Sequence, residues 1–241
     1  MNILLYIIGP IQVCSSCCAD DTYVMSDRKS GLQGALDIVS QYAQRYQVIF
    51  NAEKTKIVVT GSKLDMDFFK DTRPWHLDGE RVTVVDDNEH LGLILSGLNE
   101  EQKNIDNNIT QCRNSLFKLL GPALSYKCLS SIVQLHLWKT YLLPVFRSGL
   151  STLPIHPAPL KSLEVFQRKI FRGFLKLSDS SPVPSLFFLL GEVPIDASIH
   201  MDLLGLFYTF LSHPQTKLFD ILAYMLADTK SSWPSRSSTT P

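Results

Sequence analysis

Residues 3–24 have the sequence ILLYIIGPIQVCSSCCADDTYV, in which short apolar runs lead to two adjacent carboxylates. The runs on either side of Gly9-Pro10 predict two short strands joined by a turn. Asp20 and Asp21 follow at or near the turn of a second predicted hairpin. Neighbouring carboxylates repel each other, and a divalent cation such as Mg²⁺ relieves that repulsion, so the pair is a candidate metal site. An ordinary hairpin turn is the alternative interpretation.

Further strands and one long helix are predicted up to residue 97. Apolar residues at helical spacing predict a helix that is capped by Asp27 or Ser30 and ends near Tyr46. Strands are predicted over residues 47–50, 55–60, 81–85 and 90–95. The last two are expected to form a hairpin across Asp86-Asp87-Asn88. The polar stretch 61–79, which Pro74 interrupts, is expected to be a loop.

Beyond Gly97 the periodicity becomes helical. Helices are predicted over residues 99–120, 126–143, 157–177, 183–190, 194–211 and 214–227. The predicted fold class is therefore α+β: a partial antiparallel sheet with one long helix over 1–97, followed by an all-α module over 98–227. Residues 228–241, rich in Ser, Thr and Pro, are expected to be disordered.

The helix predicted over 157–177 has two distinct faces. One is an apolar stripe of Leu163, Phe166, Ile170, Phe174 and Leu177, expected to face a core. The other carries four cations: Arg168, Lys169, Arg172 and Lys176. A row of cations along a helix can follow a phosphate backbone, and a solvated basic face is the alternative. Trp138 and Tyr141, earlier in the same module, are expected to be core residues.

Composition excludes several classes of protein. The 241 residues are 45% hydrophobic and 19% charged, which excludes a wholly disordered chain, a collagen-like repeat and a coiled coil.

The formal net charge is zero, but residues 101–180 carry 11 basic and 4 acidic side chains, whereas residues 1–100 carry 9 basic and 14 acidic side chains. This asymmetry favours a polyanion-facing surface in the helical module, with solvated helix faces as the alternative.

The chain ends and the cysteines indicate a compartment. No apolar run approaches the roughly 20 residues that cross a bilayer, and no Lys or Arg precedes Arg28. We therefore expect neither secretion nor a membrane partner, and an intracellular location, nuclear or cytoplasmic. Cys14 and Cys17 have C-x-x-C spacing, but no second pair follows at zinc-finger spacing, so reduced thiols are expected.

Three short motifs occur in a fixed order along the first module. They are Cys18-Ala19-Asp20-Asp21, Asn51-x-x-Lys54-Thr55-Lys56 and His90-Leu91-Gly92. Their order and spacing resemble the palm of reverse transcriptases from LINE-type (non-LTR) retrotransposons. Two stretches of the helical module, LWKTYLLPVFRSG at 137–149 and LKSLEVFQRKIFR at 160–172, resemble the C-terminal region of the same elements. The resemblance covers about residues 5 to 213.

The resemblance implies an RNA-directed DNA polymerase that extends a DNA primer on an RNA template from deoxynucleoside triphosphates. It implies that Asp20 and Asp21 hold catalytic Mg²⁺, with Asp20 as the principal ligand. Leu91 and Gly92 would lie under the primer end. The residues implied to contact nucleic acid or nucleotide phosphates are Lys54, Lys56, Arg168, Lys169, Arg172 and Lys176.

The chain departs from the family pattern in ways that affect activity. It begins just before the Asp pair, without the fingers or the strand that carries the first catalytic aspartate of the two-metal scheme. Cys18 and His90 replace the usual aromatic residues beside their motifs. We therefore expect weak Mg²⁺ binding and no polymerase activity from this chain alone. The alternatives are a non-catalytic nucleic-acid-binding module, a helical module for protein partners, and a decayed reading frame.

Overall fold

The computed structural model has a mixed α+β fold. It describes residues 6–8, 11–13, 15–18, 20–26, 28–60, 74–120, 129–153, 155–214 and 219–220. The turn predicted at Gly9-Pro10, the proposed cap Asp27, most of the helix predicted over 214–227 and the predicted tail lie outside these residues. In the described part of the chain, no helix is both long and apolar enough to cross a membrane.

Two antiparallel hairpins open the described chain. Strand β1 (Tyr6–Ile8) pairs with β2 (Ile11–Val13), and β3 (Ser15–Cys18) pairs with β4 (Asp21–Val24). In the second hairpin Cys18 is opposite Asp21, so the acidic pair lies at the turn. The prediction of these hairpins is confirmed.

Helix α1 (Lys29–Tyr46) packs on a three-stranded mixed sheet. The sheet consists of β5 (Lys56–Val58), β6 (Trp75–Leu77) and β7 (Glu80–Val85), in the order β5-β7-β6. Strands β6 and β7 are antiparallel, whereas β5 runs parallel to β7. Leu36 of α1 forms a small core with Trp75, Leu77 and Val82. Because of the parallel pair, the expectation of an antiparallel sheet holds only in part.

Strand pairing after residue 60 was wrongly predicted. Residues 75–77, placed in a loop, form β6, and β7 turns back from it through Asp78-Gly79 rather than pairing with residues 90–95. Strand β8 (Asp87–His90) pairs instead with β9 (Leu93–Ser96) across Leu91-Gly92, so Asp87 and Asn88 are strand residues. Both turns have positive φ at two successive residues, which is the tight type I′ geometry of two-residue hairpins.

The predicted strand at 47–50 is also wrong. Gln47 ends α1 in the left-handed conformation, and the amide of Val48 donates to the carbonyl of Ala43 at 3.0 Å. This is the hydrogen bond of a Schellman helix end. Residues 48–50 then continue without regular structure.

Helices form nearly all of the regular structure between residues 100 and 211. Their bounds are α2 (Glu100–Leu120), α3 (Ser131–Leu137), a π-helical turn (Trp138–Leu142), α4 (Leu143–Arg147), a 3₁₀ turn (Leu150–Thr152), α5 (Pro157–Leu175), α6 (Val183–Leu190) and α7 (Ile195–Leu211). The helix predicted to end at residue 143 continues to Arg147. A π-turn, in which the amide of Leu143 donates to the carbonyl of Trp138, allows it to pass Pro144.

The chain divides into two compact units. The sheet unit comprises Met1–His90, Ile94–Leu98 and His213–Pro241, and the helical unit comprises Leu91–Leu93 and Asn99–Ser212. In the helical unit, the rings of Trp138, Phe146, Phe171 and Phe174 are fully buried or nearly so. Trp138 lies 5.3 Å from Phe171 in an edge-on arrangement, centroid to centroid. Trp138 is a core residue as predicted.

Candidate nucleic-acid interface

The acidic turn of the sheet unit is exposed. Asp20 lies in the turn itself, and Asp21 is the first residue of β4. Because side chains alternate along a strand, Asp21 shares a face of the hairpin with Tyr23. The ring of Tyr23 lies 5.6 Å from the ring of His90, centroid to centroid, with the planes tilted by 34°. The hairpin of the acidic pair thus contacts the residue that directly precedes Leu91-Gly92.

The acidic turn fits a divalent cation only in part. Asp20 and Asp21 offer oxygen ligands of the kind that Mg²⁺ prefers. Among the residues that the structure describes, no group of three or more His, Cys, Asp or Glu side chains is placed to hold a metal ion. The pair could therefore supply one or two ligands, with water or substrate phosphates completing the shell.

The Leu91-Gly92 turn has a strained residue at its tip. Leu91 has φ of 51° and Gly92 has φ of 80°. Glycine adopts such angles freely, but a leucine there costs about 1–2 kcal/mol. Leu91 is nevertheless 59% exposed, so its side chain gains little from burial. A type I′ turn favours Asn-Gly, and Leu-Gly in this place is a local departure of the kind that often marks a functional position.

Lys54 and Lys56 differ in how they are held. The side-chain carbonyl of Asn51 accepts from the amide of Lys54 at 3.0 Å, which forms the tight turn before β5. The exposed ammonium of Lys54 has no polar partner among the described side chains. Lys56 instead donates from Nζ to Oγ1 of Thr83 on the neighbouring strand at 3.0 Å. Of the two, Lys54 is better placed to meet a phosphate.

Helix α5 carries the basic surface of the helical unit. Its apolar line of Leu163, Phe166, Ile170 and Phe174 is buried as predicted. At 3.6 residues per turn, four cations fall within an arc of about 100° on the opposite side. These four cations, which we call the basic face, are Lys161, Arg168, Lys169 and Arg172.

Two predicted members of the helix pattern lie beyond its end. Lys176 has φ of 54° and is the left-handed C-terminal cap, so it does not continue the line of Arg168 and Arg172. Leu177 is 40% exposed rather than buried, and its amide donates to the carbonyl of Arg172 at 2.9 Å. A Schellman helix end usually has glycine at the left-handed position. Lysine occupies that position here, so the sequence contained no signal for the end of the helix.

The four cations of the basic face are not equally available. Arg168 is paired with Glu164, its Nη2 lying 2.9 Å from Oε2. Arg172 donates from Nη2 to the carbonyl of Ser181 at 3.1 Å, and its Nε is buried without a partner. Lys161 and Lys169 are exposed, and neither has an ion-pair partner within the described chain. These two lysines are the free charges of the surface.

Two residues of this geometry were missed by the sequence interpretation. Lys161 lies seven residues before Arg168, and helical periodicity extended backwards would have included it. Tyr23 follows the acidic pair by two residues, but its ring contact with His90 joins residues far apart in the chain and has no local signal. Tyr141, expected in the core, is 53% exposed.

The acidic turn and the basic face belong to different units, and each is therefore interpreted from its own contacts. In comparisons with known proteins, no protein-family model and no curated protein matches the chain.

Proposed function

We propose that this chain is the palm-and-thumb part of a LINE-type reverse transcriptase by ancestry. In this proposal the sheet unit descends from the palm and the helical unit from the thumb and C-terminal region. The chain alone binds nucleic acid without polymerising it. Its ligands are the RNA template and the DNA primer, while deoxynucleoside triphosphates are substrates of the intact enzyme.

The sheet unit supports the ancestry through the contact between Tyr23 and His90. The resemblance rests on the order of the acidic pair and the Leu91-Gly92 turn, which are about seventy residues apart in sequence. The ring contact joins the hairpin of the acidic pair to His90, the first residue of the third motif, within the sheet unit. The strained and exposed Leu91 fits a role in contact with a ligand, because it contributes little to the stability of the turn.

The observation that carries the nucleic-acid part is the pair of free lysines on α5. Lys161 and Lys169 lie about 12 Å apart along the helix axis. Phosphates of one duplex strand repeat every 3.4 Å along the duplex axis, so a helix lying across a groove can meet several of them. Lysine binds phosphate as a point charge without base selectivity, which predicts sequence-independent binding.

The absence of catalysis follows from the acidic turn. Two-metal phosphoryl transfer needs carboxylates that hold two cations about 4 Å apart. Asp20 and Asp21 would hold Mg²⁺, which when bound would neutralise charge on the phosphates of the nucleotide. Two adjacent carboxylates are too few to fix both ions, so we expect weak Mg²⁺ binding and no nucleotide transfer by this chain.

Two measurements test the proposal on the full chain. Filter binding of an RNA–DNA hybrid across a salt series should show affinity that falls steeply as salt rises. A primer-extension assay with Mg²⁺ and deoxynucleoside triphosphates should show no incorporation above background. Binding that is absent at low salt or insensitive to salt would contradict the nucleic-acid part, and incorporation above background would contradict the non-catalytic part.

A helical module for protein partners is the second candidate function. Apolar side chains are exposed along α6 and α7, including Phe188, Leu204 and Tyr208. Large exposed apolar side chains of this kind are available for contacts with a protein partner. This candidate predicts no salt-dependent hybrid binding, so the filter-binding experiment separates the two functions.

A further inference from the structure

A cluster of aromatic rings with a free cation lies on the outer side of α1, in the sheet unit. Tyr42 and Tyr46 are one helical turn apart and are 52% and 56% exposed. Their ring centroids are 4.5 Å apart, with the planes tilted by 36°. The guanidinium of Arg45 lies over the Tyr46 ring at 5.5 Å from its centroid. We call these three residues the tyrosine ledge.

The charge of Arg45 is not compensated within the described chain. No carboxylate there forms an ion pair with it. The acids nearest along the helix and the adjacent turn are held by amides: Oδ1 of Asp37 accepts from Gln33 at 2.8 Å, and Oδ1 of Asp78 accepts from Gln44 at 3.1 Å. The ledge therefore presents aromatic faces together with one positive charge.

We propose that the tyrosine ledge binds unpaired bases of single-stranded nucleic acid. A base would stack on the exposed ring of Tyr42 or Tyr46, and Arg45 would contact the adjoining phosphate. Aromatic stacking accepts any base because every base has a π face, and a nearby guanidinium adds both charge and cation–π attraction. The combination favours an anionic ligand with planar rings over an uncharged peptide.

This inference does not rest on the function proposed for α5. The ledge is in the sheet unit and contacts bases, whereas the basic face is in the helical unit and contacts phosphates. Single-strand binding through the ledge can therefore be present or absent whatever the hybrid-binding result.

The test is fluorescence anisotropy of a fluorescein-labelled 12-nucleotide oligouridylate with the full chain. We expect Tyr42→Ala and Tyr46→Ala each to weaken binding roughly tenfold, the typical effect of losing one stacking ring. Tyr46→Phe should bind like the parent, because phenylalanine keeps the ring. Tyr141→Ala, which removes a tyrosine of similar exposure from the helical unit, is the matched control and should also bind like the parent.

Arg45→Gln should weaken binding and reduce the salt dependence by about one phosphate contact. Unchanged affinity in both alanine variants would overturn the proposal, as would a Tyr46→Phe variant that loses binding as completely as Tyr46→Ala. Tighter binding of a labelled proline-rich peptide than of the oligonucleotide would also overturn it, since the ledge would then be a peptide site. Since both tyrosines are exposed, circular dichroism should show that every variant folds.

Discussion

The helical unit and the sheet unit differ in how much apolar side chain they bury. Among the described residues, the core cluster of the helical unit has sixteen buried members, whereas that of the sheet unit has four. A fully buried large side chain contributes about 1.5–3 kcal/mol, so over the residues with a described side chain the helical unit has the larger hydrophobic contribution. The described core therefore lies mainly in the helical unit, while the sheet unit carries the acidic turn and the tyrosine ledge.

The largest expected effect is a cavity in the helical core. Phe171 is fully buried between Trp138, Phe174 and Phe187. We expect Phe171→Ala to lower the free energy of unfolding by about 3–5 kcal/mol, measured by urea denaturation. Phe188→Ala is the control, because Phe188 is 86% exposed, and it should change stability by less than about 0.5 kcal/mol. Equal effects would contradict the assignment of the core.

A second effect in the same core depends on pH. Burial raises the pKa of the Cys112 thiol to about 12, and the nearby Arg113 offsets this only in part. The folded state therefore favours the neutral thiol. Its contribution to stability is fully present below the unfolded pKa of 9.0 and is lost as the pH rises from 9.0 towards about 12.

The measurement for Cys112 compares the parent with Cys112→Ala in urea denaturation between pH 8 and pH 11. The parent should lose more stability over this range than the variant does. Peptide-level mass spectrometry after brief thiol alkylation at pH 8 should find Cys112 unlabelled in the native chain. Burial disfavours the reactive thiolate form of Cys112 and also blocks access of the reagent. Rapid labelling of native Cys112 would refute this account of the core.

A smaller effect, of opposite sign, is expected at the Leu91-Gly92 turn. Leu91→Asn creates the Asn-Gly pair that a type I′ turn prefers, so we expect stability to rise by about 1 kcal/mol. If Leu91 contacts a ligand, the same variant should weaken binding of the RNA–DNA hybrid. Denaturation and filter binding on one preparation measure both. A gain in stability with unchanged binding would make Leu91 an incidental residue of the turn.

The smallest expected effect is at the end of α1. Gln47 occupies a left-handed position with φ of 56°, where glycine carries no steric penalty. Gln47→Gly should raise stability by roughly 0.5–1 kcal/mol, as measured by the urea midpoint. Gly191→Gln tests the converse at the end of α6, where glycine has φ of 59°, and should lower stability by a similar amount. No change at either position would count against backbone strain as the cause.

Local patterns predicted most of the helices and the acidic hairpin, because these depend on periodicity and neighbouring residues. The apolar stripe of α5 predicted the buried face of that helix. Pairing between distant strands could not be predicted, since the parallel register of β5 with β7 leaves no local pattern. The hairpin through Asp78-Gly79 did have a signal, because Asp-Gly is a favoured type I′ pair, but Pro74 led to a predicted loop.

The sequence predicted which residues form the candidate site, but it did not predict which of their charges are free to bind a ligand. The sequence identified the cations of α5, but it could not show that Glu164 pairs with Arg168 or that Arg172 is held by the carbonyl of Ser181. These contacts depend on rotamers and on the path of the chain after the helix. Gln47 and Lys176 both occupy left-handed positions without glycine; the end of α1 near Tyr46 was predicted nonetheless, whereas the end of α5 was placed two residues too late.

The most direct test of the proposed function is the salt dependence of RNA–DNA hybrid binding by lysine variants of the full chain. The plot of log affinity against log salt should become shallower by about 0.9 for Lys161→Gln and for Lys169→Gln, and by about twice that in the double variant. Lys118→Gln removes an exposed lysine from α2 and is the matched control, which should keep the parent slope. A double variant with the parent slope would contradict the claim that the basic face of α5 holds nucleic acid.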